Sequence, residues 1–153
     1  MRKYLFRGKT DAGFWVYGSL VQVNDFYCIL GDDASKDLKS VCLYPSRGNH
    51  MWTCAARVRP ETVSQYIQTS DRNGTDLFEG DIVKLYNRRY IEEEAPNDIA
   101  MVSDRHTLIH KGGGYWSPQD CYYWEKIGNV FDNPELLDER TRDWAKLHYF
   151  KED

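Results

Sequence analysis

Short apolar and aromatic runs alternate along the chain with polar turns rich in Gly, Asn, Asp and Pro. Short runs of this kind with β-branched and aromatic members are typical of β-strands. Pro60–Val63 is expected to form one short helical turn, and residues 31–37 and 87–98 are expected to be polar loops. We predict strands at residues 4–8, 14–21, 26–30, 41–44, 51–58, 82–86, 99–102, 105–110 and 122–130. Many short strands joined by such turns predict a mostly-β fold.

A single helix is predicted near the end of the chain. Asn133 is a suitable N-cap, and Pro134 suits the first helical position, where its missing N–H costs no hydrogen bond. Leu137, Trp144 and Leu147 recur at helical spacing. We therefore expect these three side chains to share one face of the helix.

The segment Asp71–Asn87 carries the clearest local signals in the chain. It opens with Asp-Arg-Asn-Gly, which favours a tight turn because Asn and Gly tolerate positive φ and an Asp side chain closes an Asx-turn. Glu79–Asp81 bends the chain again, and Ile82–Tyr86 follows as a strand. Many small SH3-like barrels begin with a turn and a strand in this order. The segment thus predicts architecture and says almost nothing about chemistry.

The length of 153 residues suits one domain. We expect an SH3-like barrel or roll that is preceded by a β extension and followed by a short helix. The three parts are predicted at residues 1–68, 69–132 and 133–148.

Four segments resemble those of YopX-like proteins, in the same order along the chain. Phe6–Gly18 contains Phe-Arg-Gly-Lys and Trp-Val-Tyr-Gly, and Pro60–Tyr66 reads Pro-Glu-Thr-Val-Ser-Gln-Tyr. Asp71–Val83 resembles the family's Asp-x-Asn-Gly segment with its Glu-Gly-Asp, and Ile127–Leu137 resembles its Gly-Asn-x-x-x-Asn-Pro-Glu-Leu-Leu ending. The stretch Phe26–Arg59 departs from the family pattern, because it is longer and richer in cysteine.

The resemblance implies a mostly-β fold with an SH3-like barrel or roll, and occurrence in bacteriophages, prophages and related mobile elements. The family is one of unknown function. The resemblance therefore brings no catalytic residue, no cofactor and no established activity to this chain.

Composition limits the function classes. The net charge of −4 gives no attraction toward a phosphate backbone, which disfavours non-specific nucleic-acid binding. Cys28, Cys42, Cys54 and Cys121 form no C-x-x-C pair, and we expect four buried thiols in a reducing cytosol. No apolar run approaches the ~18 residues that a membrane span needs. The expected location is the cytoplasm of a bacterial host.

Three motifs invite a chemical interpretation, and each has a simpler one. His106 and His110 lie in a predicted strand, where residues four apart stand ~13 Å apart and cannot share a zinc ion. The carboxylates among Asp76–Asp81 are expected to bond backbone N–H groups of the bend rather than a metal. Lys111–Gly114 is expected to be a hairpin turn, because no phosphate-loop pattern follows it. We predict no catalytic residue, metal or cofactor and no enzyme activity.

Two aromatic surfaces remain as sites of interaction. Their residues are Tyr86, Arg88, Arg89 and Tyr90 in the first, and Tyr115 and Trp116 in the second. A protein partner is the first hypothesis, and nucleic-acid binding through the two arginines is the second. A hydrolase or metal-dependent enzyme is a distant third. Glu92–Glu94 lies beside the arginines and largely cancels their field. The aromatic excess also leaves room for a homo-oligomer.

The nucleic-acid hypothesis makes a prediction that separates it from the first. Two arginine–phosphate contacts would make oligonucleotide affinity fall about tenfold between about 50 and 200 mM salt, and Arg88→Ala plus Arg89→Ala would abolish that dependence. Fluorescence anisotropy with a labelled DNA oligonucleotide measures both effects. Absence of binding at low salt would reject the hypothesis.

Overall fold

The structure is a computed structural model that describes residues 5–23, 25–30, 41–45, 52–85, 99–103, 109–111, 114–116 and 124–148. The described part is mostly β, with two short 3-10 turns and one α-helix. The strands are β1 (Phe6–Lys9), β2 (Trp15–Val23), β3 (Phe26–Leu30), β4 (Val41–Pro45), β5 (Trp52–Arg57), β6 (Ser64–Ser70), β7 (Asp76–Phe78), β8 (Asp81–Leu85), β9 (Ile99–Val102), β10 (Ile109–Lys111), β11 (Gly114–Trp116) and β12 (Trp124–Asn129). The helix α1 spans Glu139–His148, and the 3-10 turns span Pro60–Thr62 and Pro134–Leu136.

The chain forms two compact units, residues 1–65 and 66–153. The first unit contains an antiparallel sheet in the order β4-β5-β3-β2-β1-β6. Strand β6 begins in this unit and continues into the second one, where it pairs with β7.

One face of the first sheet carries the apolar core of that unit. Alternate residues of a strand point to the same face, so Val16, Ile29, Ala56 and Val58 come together although they lie on different parts of the chain. All four are almost completely buried. Phe6, Leu20 and Val63 pack against them at the margin.

The second unit is built on a five-stranded antiparallel sheet in the order β11-β10-β9-β8-β12. Two groups of apolar side chains are buried in it. The first consists of Ile67, Leu77, Val83, Ala100, Val102 and Trp124. The second consists of Ile82, Met101, Val130, Leu137 and Ala145, to which α1 contributes the alanine.

The C-terminal helix begins later than predicted. Asn133 makes no capping hydrogen bond with its side chain, and Pro134 starts a single 3-10 turn that ends where Leu137 is extended. Asp138 is the real N-cap, because its Oδ1 accepts the backbone N–H of Thr141 at 2.7 Å.

The predicted helix face is correct only in part. Leu137 is buried in the core of the second unit, and Trp144 packs against the same group of side chains. Leu147 was expected on that face, but it is 72% exposed. The helix instead buries Thr141 and Ala145, which lie four residues apart on one face.

The mostly-β prediction is confirmed, and so is the helical turn at residues 60–62. The SH3-like barrel is not confirmed. Within the described residues the five-stranded sheet is open, with β11 and β12 at its two edges. Residues 31–37 and 87–98, which were expected to be loops, lie outside the described part.

Two further expectations, on the cysteines and on a membrane span, can be compared with the described residues. Cys28 is buried, whereas the side chains of Cys42, Cys54 and Cys121 lie outside the described part. Among the described residues, α1 is too short to cross a membrane, and no other helix there is long and apolar enough to do so.

Gly8 gives a test of the first unit's packing. A Cβ at this position would lie 2.7 Å from Cβ and Cγ2 of Val58, which is far inside van der Waals contact. We expect Gly8→Ala to lower the free energy of unfolding by about 1–3 kcal/mol. Urea denaturation followed by circular dichroism measures the loss.

The double variant Gly8→Ala, Val58→Ala is the control for this interpretation. Shortening Val58 removes the clashing methyl groups, so the two losses should sum to more than the loss of the double variant. Strict additivity would show that the contact is not the cause.

Candidate functional site

The side chains of the interaction residues predicted from the sequence lie outside the described part of the structure. Tyr86, Arg88, Arg89 and Tyr90 lie outside it. Tyr115 and Trp116 form the end of β11, where they pair with His110 and Ile109, but their side chains lie outside the described part. Both surfaces therefore stay predictions.

The hairpin interpretation of Lys111–Gly114 agrees with the strand pairing. Lys111 at the end of β10 is the register partner of Gly114 at the start of β11. The side chains of His106 and His110, which the zinc interpretation needs, lie outside the described part.

Asp71 organises the turn that the sequence predicts. Its Oδ1 accepts the backbone N–H groups of Asn73 and Thr75, each at 2.9 Å. Gly74 follows with a φ of +82°, a conformation that glycine adopts without steric cost. The second carboxylate oxygen, Oδ2, accepts the backbone N–H of Lys126 at 3.0 Å. The predicted Asx-turn is thus present, and it is tied to β12.

The hydrogen bonds of Asp71 favour its charged form. Burial of the carboxyl acts to raise the pKa of Asp71, but N–H groups of Lys126, Thr75 and Asn73 and the charge of Lys126 act against it. Together they hold the pKa of Asp71 below its ordinary value. The carboxylate serves the fold, because every bond described for it goes to the backbone of its own unit.

The other carboxylates of this segment also serve the fold where their contacts are described. Asp81 is fully buried, and its Oδ2 accepts the N–H of Phe78 at 2.8 Å. Its Oδ1 lies 3.4 Å from Nζ of Lys126, and Asp76 accepts a hydrogen bond from Ser70. In the part of the chain with described side chains, no three His, Cys, Asp or Glu residues are grouped to hold a metal.

The two N-terminal segments that resemble the YopX pattern meet in the first unit. Arg7 is 1% exposed, and its Nε donates to Oγ of Ser64 at 2.9 Å. The N–H of Lys9 donates to Oγ1 of Thr62 at 2.8 Å, and that hydroxyl in turn donates to the carbonyl of Arg59. Trp15 covers the guanidinium of Arg7, with a distance of 4.8 Å to the ring centre.

The other two segments meet in the second unit. The N–H of Val130 donates to the carbonyl of Gly80 at 2.8 Å, and Asp81 pairs with Asn129. Oδ1 of Asn129 accepts two N–H groups of the following turn, those of Phe131 and Asp132. All four segments therefore have structural roles that are visible in their hydrogen bonds.

A separate feature of the first unit is a candidate binding site. It is an open groove of about 360 Å³ between the turns at the ends of β1, β2 and β5. Its lining consists of Asp11, Asp25, Phe26, Tyr27, Arg57, Val58, Arg59, Pro60 and Glu61. We call it the turn groove.

Aromatic and charged side chains are exposed in the turn groove. Phe26 is 41% and Tyr27 38% exposed. The guanidinium of Arg57 lies 3.6 Å from the centre of the Phe26 ring, a close cation–π contact. Arg59 pairs with Asp11, because Nε lies 3.3 Å from Oδ1 and the other end of the guanidinium donates to the Asp11 carbonyl at 3.0 Å.

The sequence analysis did not find the turn groove. It assigned Phe26 and Tyr27 to a strand and Pro60 to a turn, and both assignments are correct. The contributions of Asp11 and Arg57 depend on pairing between distant strands, which the local pattern does not reveal.

The structure defines a mostly-β protein of two units whose recognisable motifs support the fold. The family model described as YopX protein matches residues 5–138. The chain therefore belongs to the YopX family.

The solved structures that match include the crystal structure of protein EF1440 from Enterococcus faecalis, with 18% sequence identity and a TM-score of 0.47. The alignment covers 90% of this chain and 100% of that one. No curated protein matches the chain.

Asp71→Asn tests the role of the first turn. The amide keeps one acceptor oxygen but turns an N–H₂ toward the N–H of Lys126 or toward those of Asn73 and Thr75. One or more buried donors lose their acceptor, so we expect a loss of about 1–3 kcal/mol in the free energy of unfolding. Urea denaturation at neutral pH measures it, with Asp143→Asn on the exposed face of α1 as the control.

The same pair of proteins predicts a pH dependence. The pKa of Asp71 is lower in the folded than in the unfolded chain, where it is about 3.9. The carboxylate's extra stabilisation is therefore complete above the unfolded value and is lost as the pH falls through the folded value. The stability difference between the wild type and Asp71→Asn should shrink in that acid range. A difference that grows with acidity would contradict the assignment.

Proposed function

We propose that this protein is a non-enzymatic protein-interaction module, and that the turn groove is the surface that receives its partner. The proposal is supported above all by the exposure of Phe26 and Tyr27 in one groove. Exposed aromatic residues that share a concave surface are typical of binding sites, and they contribute much of the binding energy at protein interfaces.

The composition of the turn groove favours a protein over a nucleic acid. Three carboxylates, those of Asp11, Asp25 and Glu61, share it with the guanidinium groups of Arg57 and Arg59. This balance resists a phosphate backbone, which needs a surplus of positive charge. A polypeptide supplies apolar side chains for the rings and both signs of charge for the rim.

We also propose a setting for this function in bacteriophage or mobile-element biology, within the cytoplasm of a bacterial host. Support comes from the four YopX-like segments and from membership of the family. The partner would then be a phage-encoded or a host protein.

The test is a pull-down of the tagged protein from phage-infected or prophage-induced bacteria, followed by mass spectrometry. We expect a protein to be captured by the wild type and to be reduced at least tenfold with the Phe26→Ala, Tyr27→Ala variant. Loss of two interface aromatics is sufficient for an effect of that size.

Phe14→Ala is the matched control, because Phe14 is an exposed aromatic residue of the same unit that does not line the groove. Capture should survive this change. A partner that binds the groove variant as well as the wild type would contradict the proposed surface. Co-purification of nucleic acid that nuclease treatment removes together with the captured protein would favour the nucleic-acid hypothesis instead.

A further inference from the structure

We infer that the partner of the turn groove is an extended peptide segment that inserts an Arg or Lys side chain beside an apolar residue. This inference rests on the proposed function and specifies its ligand. It follows from which charged groups of the groove are already paired and which are not.

The cations of the groove are occupied within the first unit. Arg59 bonds Asp11 through two hydrogen bonds, one to the carboxylate and one to the carbonyl. The guanidinium of Arg57 lies over the Phe26 ring, with its carbon 3.6 Å from the ring centre. Neither arginine is therefore fully available to a ligand.

Two carboxylates of the groove are available. Asp25 and Glu61 are exposed and line the groove, and neither has a hydrogen bond or an ion pair within the described part of the chain. Once the Arg59–Asp11 pair is set aside, two carboxylates face a single guanidinium. The groove thus has a surplus of negative charge, and its complement is a cationic group.

An aromatic ring beside these carboxylates favours a long basic side chain over a small cation. Such side chains lay their methylene stem on apolar surface while the charged head stays in water. The contact of Arg57 with Phe26 shows that an aromatic ring of this groove accepts a guanidinium in a cation–π contact. Tyr27 offers a second exposed ring, over which no cation lies among the described residues.

The size and shape of the groove favour an extended segment. Its volume of about 360 Å³ is near the lower end of the range for ligand sites, so it holds a few side chains rather than a folded surface. Arg57 keeps N–H donors at the edge of its guanidinium, which suit the carbonyl groups of an extended backbone. An adjacent apolar residue would cover the remaining ring surface.

Selection from a displayed library of random eight-residue peptides on the immobilised protein tests the inference. We expect the selected peptides to be enriched in Arg or Lys next to an aliphatic or aromatic residue. Synthetic versions of them, measured by fluorescence anisotropy, should bind about fivefold more weakly to the Asp25→Asn, Glu61→Gln variant. Two exposed ion pairs account for a change of this size, and added salt should reduce it further.

The matched control is Glu135→Gln, Asp143→Asn, which removes two exposed carboxylates of the second unit and should leave binding unchanged. Enrichment of acidic or uncharged peptides, or equal binding to the Asp25→Asn, Glu61→Gln variant, would overturn the inference.

The outcomes also separate this inference from the proposed function. Peptides that depend on Phe26 and Tyr27 but not on the two carboxylates would leave the interaction surface standing and reject the basic ligand. A library that gives no peptide dependent on the two aromatic residues would count against both.

Discussion

The second unit depends on the two contacts that Lys126 makes with the two ends of the segment Asp71–Asp81. Its backbone N–H bonds the carboxylate of Asp71 at 3.0 Å, and its ammonium lies 3.4 Å from the fully buried carboxylate of Asp81. Loss of the ammonium would leave the Asp81 carboxylate in the interior without this partner, which is destabilising. The turn at one end of the segment and the bend at the other are therefore held by the same residue. The N–H of Arg72 also bonds the carbonyl of Trp124, so this turn covers the edge of β12 that faces away from β8 and protects it from pairing with other chains.

The hydrogen bonds explain how a chain can carry recognisable motifs without revealing an activity. Each motif pairs with another motif of its own unit: Arg7 with Ser64 in the first, and Gly80 with Val130 in the second. Their polar side chains bond backbone groups or one another, which satisfies buried donors and acceptors. Residues used in this way define a fold, and a family recognised by them is recognised by its architecture.

The sequence predicts those parts of the fold that local chemistry determines. Strands and the Asp71 turn follow from apolar runs and turn residues that lie next to each other in the chain. The start of α1 was misplaced because Asn133–Pro134 and Asp138 are competing start signals. Oδ1 of Asn133 accepts the N–H of Asn129 at 3.3 Å, so it is not a cap. The hydrogen bond between Asp71 and Lys126 joins residues 55 positions apart in the sequence, and no local sequence pattern predicts it.

The turn groove takes residues both from the YopX-like segments and from the stretch between them: Asp11, Pro60 and Glu61 belong to those segments, and Phe26, Tyr27 and Arg57 do not. Phe26, Tyr27 and Arg57 lie at the two ends of the stretch 26–59, where the chain departs from the YopX-like pattern. Backbone pairing holds the beginning and the end of this stretch side by side: Cys28 pairs with Arg57, and the N–H of Val58 donates to the carbonyl of Tyr27. Its ends therefore stay together whatever lies between them. The side chains of Phe26, Tyr27 and Arg57 take no part in the hydrogen bonds of Arg7 with Ser64 and of Lys9 with Thr62. The proposed ligand chemistry therefore rests on residues of both kinds, with Glu61 inside a YopX-like segment and Asp25 just before the stretch 26–59.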